Sequence, residues 1–472
     1  MMRMTSLAAL ALVLAGPAHA DTLAQAIAAA YETNPLIAAQ RAVVRQTDEF
    51  VPQALSFGRP VIDATVAQQQ NGLDFQDNGR TFAAGINLNQ SLYRGGRTRS
   101  ATNAADNRIL AARARLRATE NNVLLDVVTA YSDVLRYIAV VDLNANQVKV
   151  LERELQASKD RFEVGDLTRT DVAQSDARLA NARSNLISAQ GQLQAARAAY
   201  ARTVGRPAED LQPLPPLPPL PGTTGQAVDL ANANNPALLA ARFDEAAARY
   251  DVSTIERERL PSVGVGVGLD YQKSAGGSSA ASFFNQGAFF TQNAGIQLSV
   301  PLYQAGAVSS RIREAQQRRS QLLAVIGSTG RDVTEQATNA VTQVTTARAI
   351  IASSQVAVDA NALALEGVTQ ENQVGTRTII ELLNAQQELL ITQVNLVTAR
   401  RDEYVGAYQL LAAVGAAEAA ALGVPVQEYD PTANAKRVRH KWNDFDTDPN
   451  PPALPLPDND RATKSAPIGP QL

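Results

Sequence analysis

Cysteine is absent from these 472 residues, and histidine occurs only as His19 and His440. The first absence removes disulfides, thiolate metal sites, cysteine nucleophiles and a lipid-modified cysteine anchor. The second leaves little for a histidine-based metal or catalytic site, because His19 lies in a segment expected to be removed and His440 in a polar tail. Charge of one sign is also lacking. Lys and Arg number 43 against 46 Asp and Glu, so nothing suggests a nucleic-acid partner. Aromatic residues make up 5% of the chain and alanine is abundant, a balance suited to long helices that pack closely. Beyond the N-terminus no apolar run approaches the roughly 20 residues of a membrane helix, so a membrane crossing would have to use strands.

The N-terminus has the pattern of a secretory signal. Arg3 supplies the positive end, Leu7 to Ala15 the apolar core, and Ala18-His19-Ala20 the small-residue cleavage site. Residues 1–20 are expected to be a signal peptide, and the mature chain to be exported.

What the chain has is a repeated helical hairpin. Val164-Gly165-Asp166-Leu167-Thr168 interrupts a helical pattern. Gly165 suits a left-handed helix end, and Thr168 with Asp171 approximates a capping box for the next helix. A heptad stripe follows: Val172, Ser175, Leu179, Ala182, Leu186, Ala189, Leu193, Ala196 and Tyr200. Its three-four spacing is that of a left-handed coiled coil. Val374-Gly375-Thr376-Arg377-Thr378 is a second copy, 210 residues on (374 − 164). Thr378 and Glu381 form the same box, and Leu382, Ala385, Leu389, Thr392, Leu396 and Ala399 continue the stripe until it breaks at Glu403.

The remaining elements fall into the same two copies. Repeat 1 spans 21–210. It opens with a helix from Thr22 to about Phe50, disturbed at Asn34-Pro35, and continues with strand-like runs at Val61–Gln68 and Phe82–Leu88 separated by turn signals. A stretch without Pro or Gly from Arg97 to Phe162 leads to the first tip, with a heptad at Val127, Tyr131, Val134, Ile138, Val141, Ala145 and Val148. A Pro-rich stretch within 211–224 reads as a stiff extended linker. Repeat 2 spans 225–422, with Asn235-Pro236, strands at Val263–Tyr271 and Ile296–Val300 around a loop at Ser274–Gln292, and a helix from Val308 to Asn372. Nine extra residues are expected to lengthen its β-hairpin, and Gly327 and Gly330 to mark a bend. The tail, 423–472, is polar and Pro-rich and reads as disordered or draped over the surface.

The fold class expected is mainly α with a small β part: long coiled-coil hairpins and four strands per chain. Four strands cannot close a barrel, and open edges are not tolerated in lipid. Three chains would supply twelve strands and a tube of helices, which together make a conduit. No enzyme is expected and no cofactor. The alternating Gly264, Gly266 and Gly268 lack the helix of a dinucleotide site, and Gly95-Gly96-Arg97 lacks the P-loop lysine.

The two VGxxT tips, the Thr170-Asp171-Val172 run, the LYxxG stretches at Leu92–Gly96 and Leu302–Gly306, and the two Asn-Pro helices make the chain resemble the outer-membrane efflux proteins, the TolC family. The resemblance covers the mature chain to about Val414. It implies a homotrimeric channel-tunnel, with a 12-stranded β-barrel in outer-membrane lipid and an α-barrel crossing the periplasm. It implies a passive exit duct of a tripartite efflux or type I secretion system, carrying drugs or secreted protein. The implied partners are a periplasmic adaptor (membrane fusion protein) and an inner-membrane pump of RND or ABC type.

By the same resemblance, Val164, Gly165, Leu167, Thr168, Val374, Gly375, Thr376 and Thr378 form adaptor-docking tips. Arg377, with Thr170 and Asp171 as partners, stands where the family ties its two hairpins together. Glu381 and Asn384 stand where a ring of carboxylates often lines the entrance, and Asn372 where a tyrosine is expected. Asp171 and Glu381 also fit a plain capping role, and Arg377 a plain solvated one. A periplasmic coiled-coil adaptor or structural protein without a pore remains the alternative reading of the whole.

Overall fold

The computed structural model of the chain describes residues 21–71, 79–275, 287–419 and 422–450. The signal segment, both β-hairpin tips and the tail beyond 450 lie outside these residues, and with them the expected lengthening of the second hairpin.

Three short helices open the chain: α1 (Leu23–Thr33), α2 (Pro35–Asp48) and α3 (Phe50–Ser56). The single helix expected to about Phe50 is therefore divided. Asn34 precedes a proline, which disfavours helical backbone, and it sits extended at φ −67° and ψ 123°. Its side-chain oxygen accepts from the Leu36 N–H, and Pro35 fills the first helical position, where no donor is needed. The Asn34 amide also donates to the Thr203 carbonyl at 3.2 Å. Asn235 repeats this against the Ala413 carbonyl at 2.9 Å, so both Asn-Pro corners anchor to the end of a returning helix.

Four antiparallel strands follow in the order β1 (Pro60–Asn71), β2 (Gly79–Tyr93), β3 (Ser262–Ala275) and β4 (Gly287–Ser299). The expected loop at Ser274–Gln292 is shorter than its composition implied. Gly287 to Gln292 pair with β3, and Phe290 stands opposite Tyr271 with ring centres 5.0 Å apart. The aromatic contact holds a strand where Gly, Ser and Asn alone read as a loop.

The helical part consists of α4 (Arg97–Glu163), α5 (Arg169–Val204), α6 (Thr224–Asn234), α7 (Pro236–Glu256), α8 (Ala307–Gln373) and α9 (Ile379–Ala413). α4 and α8 each have 67 residues, about 100 Å at 1.5 Å per residue. α8 continues through Gly327 and Gly330 as one helix. The first heptad stripe is the seam of the α4–α5 hairpin: Ser175, Leu179, Ala182, Ala189, Leu193, Ala196 and Tyr200 are all buried. In α9 the seam is broader. Leu382, Leu396 and Ala399 are buried as the stripe requires, but so are Leu383, Gln386 and Leu390 beside it, because α9 packs on α4 as well as α8.

Two cores sit near mid-length of the long helices, where the returning helices α5 and α9 end. The larger gathers α1, the middle of α4, and the ends of α5 and α9 around Tyr131, whose hydroxyl lies 2.8 and 2.7 Å from the carbonyls of Asp21 and Gln212. Burial and the nearby Asp21 push the neighbouring Tyr200 phenol up to about 12. The Pro-rich segment crosses this core in extended form. Leu211, Leu214, Leu217 and Leu220 recur every third residue, the period of a polyproline helix, and all four pack against it. Residues 422–450 also lie along the body. Val424 is buried, Tyr429 and Tyr31 sandwich the Arg41 guanidinium, and α10 (Ala433–Val438) is fixed by Asn434 to Asp48 and by Arg439 to Asp106.

The packed leucines make the Pro-rich segment part of the core. Replacing Leu214 and Leu217 together by Ser is expected to cost about 2–4 kcal/mol. Limited proteolysis should then cut between 205 and 223 in a chain otherwise resistant there. Unchanged resistance would mean that the segment is a plain spacer.

Candidate functional site

The two hairpin tips have the same construction. Gly165 and Gly375 take φ of 84° and 78°, which side-chain-bearing residues rarely adopt. The following amides turn back onto the outgoing helix, Asp166 to the Arg161 carbonyl and Thr376 to the Glu371 carbonyl, both at 2.9 Å. Thr168 and Thr378 then open the return helices in complete capping boxes with Asp171 and Glu381. Leu167 is half-buried, whereas Val164 and Val374 at the apices are 80% and 75% exposed. Each apex thus holds one apolar side chain out in solvent.

The residues assigned to a gate are not brought together as one group within a chain. Arg377 donates to Glu371 at 2.7 Å and to Glu381 at 2.9 Å, both in its own hairpin. Thr170 is exposed, and Asp171 is engaged by Thr168. Links between the hairpins come from other residues. Arg178 on α5 donates to Asn384 on α9 at 2.7 Å, and Arg161 near the end of α4 approaches Asn372 at 3.4 Å. Asn372 is buried and also donates to the Arg377 carbonyl at 2.9 Å. Around these links Leu151, Leu155, Leu179, Ile379, Leu382 and Leu383 form a core shared by both hairpins. Arg161 and Arg178 escaped the sequence reading. The signal available was asparagine at 384, where a carboxylate was expected, and at 372, where a tyrosine was expected; each side-chain oxygen accepts from an arginine of the other hairpin.

The sheet is the second functional surface, and its register sorts residues by face. One face carries Ile62, Ala64 and Val66 opposite Leu88, Ile86 and Ala84, continuing through Val265, Val267, Leu269 and Tyr271 to Ile296, Ala294 and Phe290. The other carries Asp63, Thr65, Asn87, Asn89, Asp270, Gln272, Thr291, Asn293 and Gln297. The glycines of β3 lie on this polar face. A side chain at Gly268 would collide with the amides of Asn87 and Asn293, which lie across it. Along β4 the apolar face runs from Phe290 to Leu298, about 26 Å of strand or 20 Å of height at the usual tilt. That is close to the apolar band of an outer-membrane barrel. The free edges of β1 and β4 pair with nothing among the described residues.

Both tip carboxylates titrate below their ordinary values. Hydrogen bonds from Thr168 hold Asp171 down, and for Glu381 the Thr378 backbone N–H comes first, then Arg377. A depressed carboxylate contributes stability that is complete above its unfolded value, 3.8 for Asp171 and 4.5 for Glu381, and is lost as pH falls through the lower folded value. A spin label on Val164→Cys, placed in this cysteine-free chain, should therefore keep the same mobility from about pH 7 to 5 and loosen below about pH 4. Loosening near neutral pH would exclude the caps as its cause.

Comparison with known proteins agrees with this architecture. A family model described as outer membrane efflux protein matches residues 26–206 and 227–416, one segment per repeat. The chain is 33% identical over 431 residues to outer membrane efflux protein BepC of Brucella suis, covering 91% of this chain and 93% of that protein. It is 27% identical to outer membrane protein TolC of Vibrio cholerae, covering 85% and 92%. Among solved structures, CusC superposes with a TM-score of 0.73 at 17% identity over 83% of this chain and 91% of that one. VceC of Vibrio cholerae superposes with a TM-score of 0.71 at 21% identity over 83% and 96%. The chain belongs to the outer membrane efflux protein family.

Proposed function

We infer that three copies of this chain form an outer-membrane channel-tunnel, the passive exit duct of an efflux or type I secretion system. The observation that carries this reading is the sheet. It is apolar on one face, polar on the other, and open at both edges, which fits a third of a 12-stranded barrel with a wet interior. The second repeat supports it. β4 is exposed along its whole length, and Leu302, Tyr303, Val356 and Leu363 stand exposed beside or on α8, which buries far fewer residues than α4. A neighbouring copy covers such a flank. A periplasmic adaptor without a pore would have no use for an apolar sheet face.

Substrate enters from an inner-membrane pump through a periplasmic adaptor docked on the exposed tips. Relatives named for efflux and for alkaline protease secretion both match the chain, the latter, AprF of Pseudomonas aeruginosa, at 28% identity over 61% of it. Energy and substrate choice then belong to the pump, and the duct supplies passage and closure.

Closure is assigned to the tips. Within each subunit Arg178–Asn384 and Arg161–Asn372 hold the hairpins together. Arg377 meets Thr170 and Asp171 only across the boundary between subunits. Its charge offsets one of its two carboxylate partners, Glu371 and Glu381, so this cluster of three carries one net negative charge per subunit. Three such charges in a narrow opening favour cations.

Detergent-purified protein should have the mass of a trimer and give small, discrete conductance steps in planar bilayers. A soluble monomer with no conductance would restore the adaptor reading. In the same recordings Glu381→Gln should reduce cation selectivity, and an unchanged reversal potential would remove the charge ring. Arg178→Ala breaks an exposed charge-assisted hydrogen bond worth about 0.5–1 kcal/mol and should raise the conductance of the resting channel. A resting conductance equal to the parent's would show that this link does not hold the tip closed.

A further inference from the structure

The charged residues of the four strands are few and sharply divided. They are Asp63, Arg80, Asp270 and Lys273. Both acids stand on the polar face. Both cations stand on the apolar face, which carries no acid at any position within the strands.

The two cations also stand together. Phe82 is opposite Lys273 and Arg80 is opposite Ala275, so Arg80 and Lys273 are diagonal neighbours, about 7 Å apart. Both are exposed, and neither side chain makes a hydrogen bond or ion pair with another described residue. Beneath them lie Phe82, Tyr271 and Phe290 on the same face, with ring centres 6.3 and 5.0 Å apart in succession.

Their height in the membrane follows from the chain path. The helices join the opposite ends of the strands, so the hairpin ends of β1–β2 and β3–β4 point away from the periplasm. Arg80 and Lys273 are within a few residues of those ends. A lipid-facing cation costs about 2–4 kcal/mol at the membrane midplane and little at the interface, where aromatic girdles also gather. The pair therefore sits at the level of the outer-leaflet headgroups, over rings that meet the upper acyl chains.

We propose that Arg80 and Lys273, above Phe82, Tyr271 and Phe290, form a binding site for the phosphate-bearing headgroup of an outer-leaflet lipid, three sites per trimer. Charge complementarity selects the occupant. Two cations facing lipid, without an acidic partner among the described residues, take a lipid phosphate, and the aromatic floor takes its acyl chains. Arg80 supplies a planar fork for two phosphate oxygens and Lys273 a second point charge. The proposal rests on the reading of the sheet as part of a barrel.

The test is native mass spectrometry of the detergent-solubilised trimer titrated with lipid A, with phosphatidylcholine as the lipid lacking net charge. Mass and bilayer conductance are recorded on the same sample. The parent should hold lipid A more tightly than phosphatidylcholine. The double variant Arg80→Gln with Lys273→Gln should bind lipid A about thirtyfold more weakly, equivalent to about 2 kcal/mol for two interfacial cations, with phosphatidylcholine binding unchanged. The charge-conserving pair Arg80→Lys with Lys273→Arg should retain most of the affinity. Inorganic phosphate should not displace the lipid. If the double variant fails to assemble, each single variant should show about a fivefold loss. Lipid A affinity that is unchanged in the variants, displaced by free phosphate, or lowered equally by Asp63→Asn with Asp270→Asn on the inner face would overturn the site while conductance leaves the barrel intact. A parent without trimer mass or conductance would overturn the barrel reading and this one with it.

Discussion

Backbone hydrogen bonding in lipid is the constraint on which the rest of the structure depends. Every N–H and C=O at membrane depth needs a partner, and a four-stranded sheet leaves two rows without one, along β1 and β4. No rearrangement within one chain removes both edges, so closure is a property of the assembly. The flank of α8 follows from the same constraint. It is apolar and exposed within one chain, whereas α4 is wrapped by α1, α2, α3, α5, α7 and α9. The exposed flank of α8 and the free edge of β4 both belong to the second repeat, and β1 leaves the first repeat a free edge of its own.

The helical body solves a different problem, that of holding helices of 67 residues in place with little apolar bulk. Alternating large and small residues along the α4–α5 seam lets the backbones approach closely. Near the tips the shared core of Leu151, Leu179, Ile379 and Leu383 is interleaved with polar links, Arg178–Asn384 and Arg161–Asn372. Polar links release at lower cost than a continuous apolar seam, which suits the end of the duct that must both close and open. At the other end of the hairpins the opposite holds: Tyr131, the proline-rich segment and the chain to residue 450 bind the body into one layer.

Much of this was legible in the sequence because it is written twice. The tip glycines, the threonine caps and the Asn-Pro corners each depend on a local rule, and each recurs at a fixed offset. What stayed hidden depends on neighbours far away in the chain. The opening of β4 read as loop because Tyr271, which stacks on Phe290, lies in another strand. The position of the linker depended on whether its leucines, three residues apart, met a surface. The hairpin links needed Arg178 and Asn384, 206 positions apart, to meet. Arg377 was read through its family position, whereas its nearest charges, Glu371 and Glu381, are brought to it by the turn of its own tip.

The equal length of α4 and α8 carries a consequence for how such a duct changes size. Each outgoing arm has 67 residues, with return arms of 36 and 35, so the distance from sheet to tip is specified independently in the two halves. Removing one heptad from a single arm would shift its seam against the partner by about 10 Å and set one tip above the other. Only matched deletions in all four arms would shorten the tunnel and keep its end level. Adapting the duct to a wider or narrower gap between membranes is therefore a coordinated step of whole heptads, unavailable to single insertions, and its depth should change far more slowly in evolution than the residues that line it.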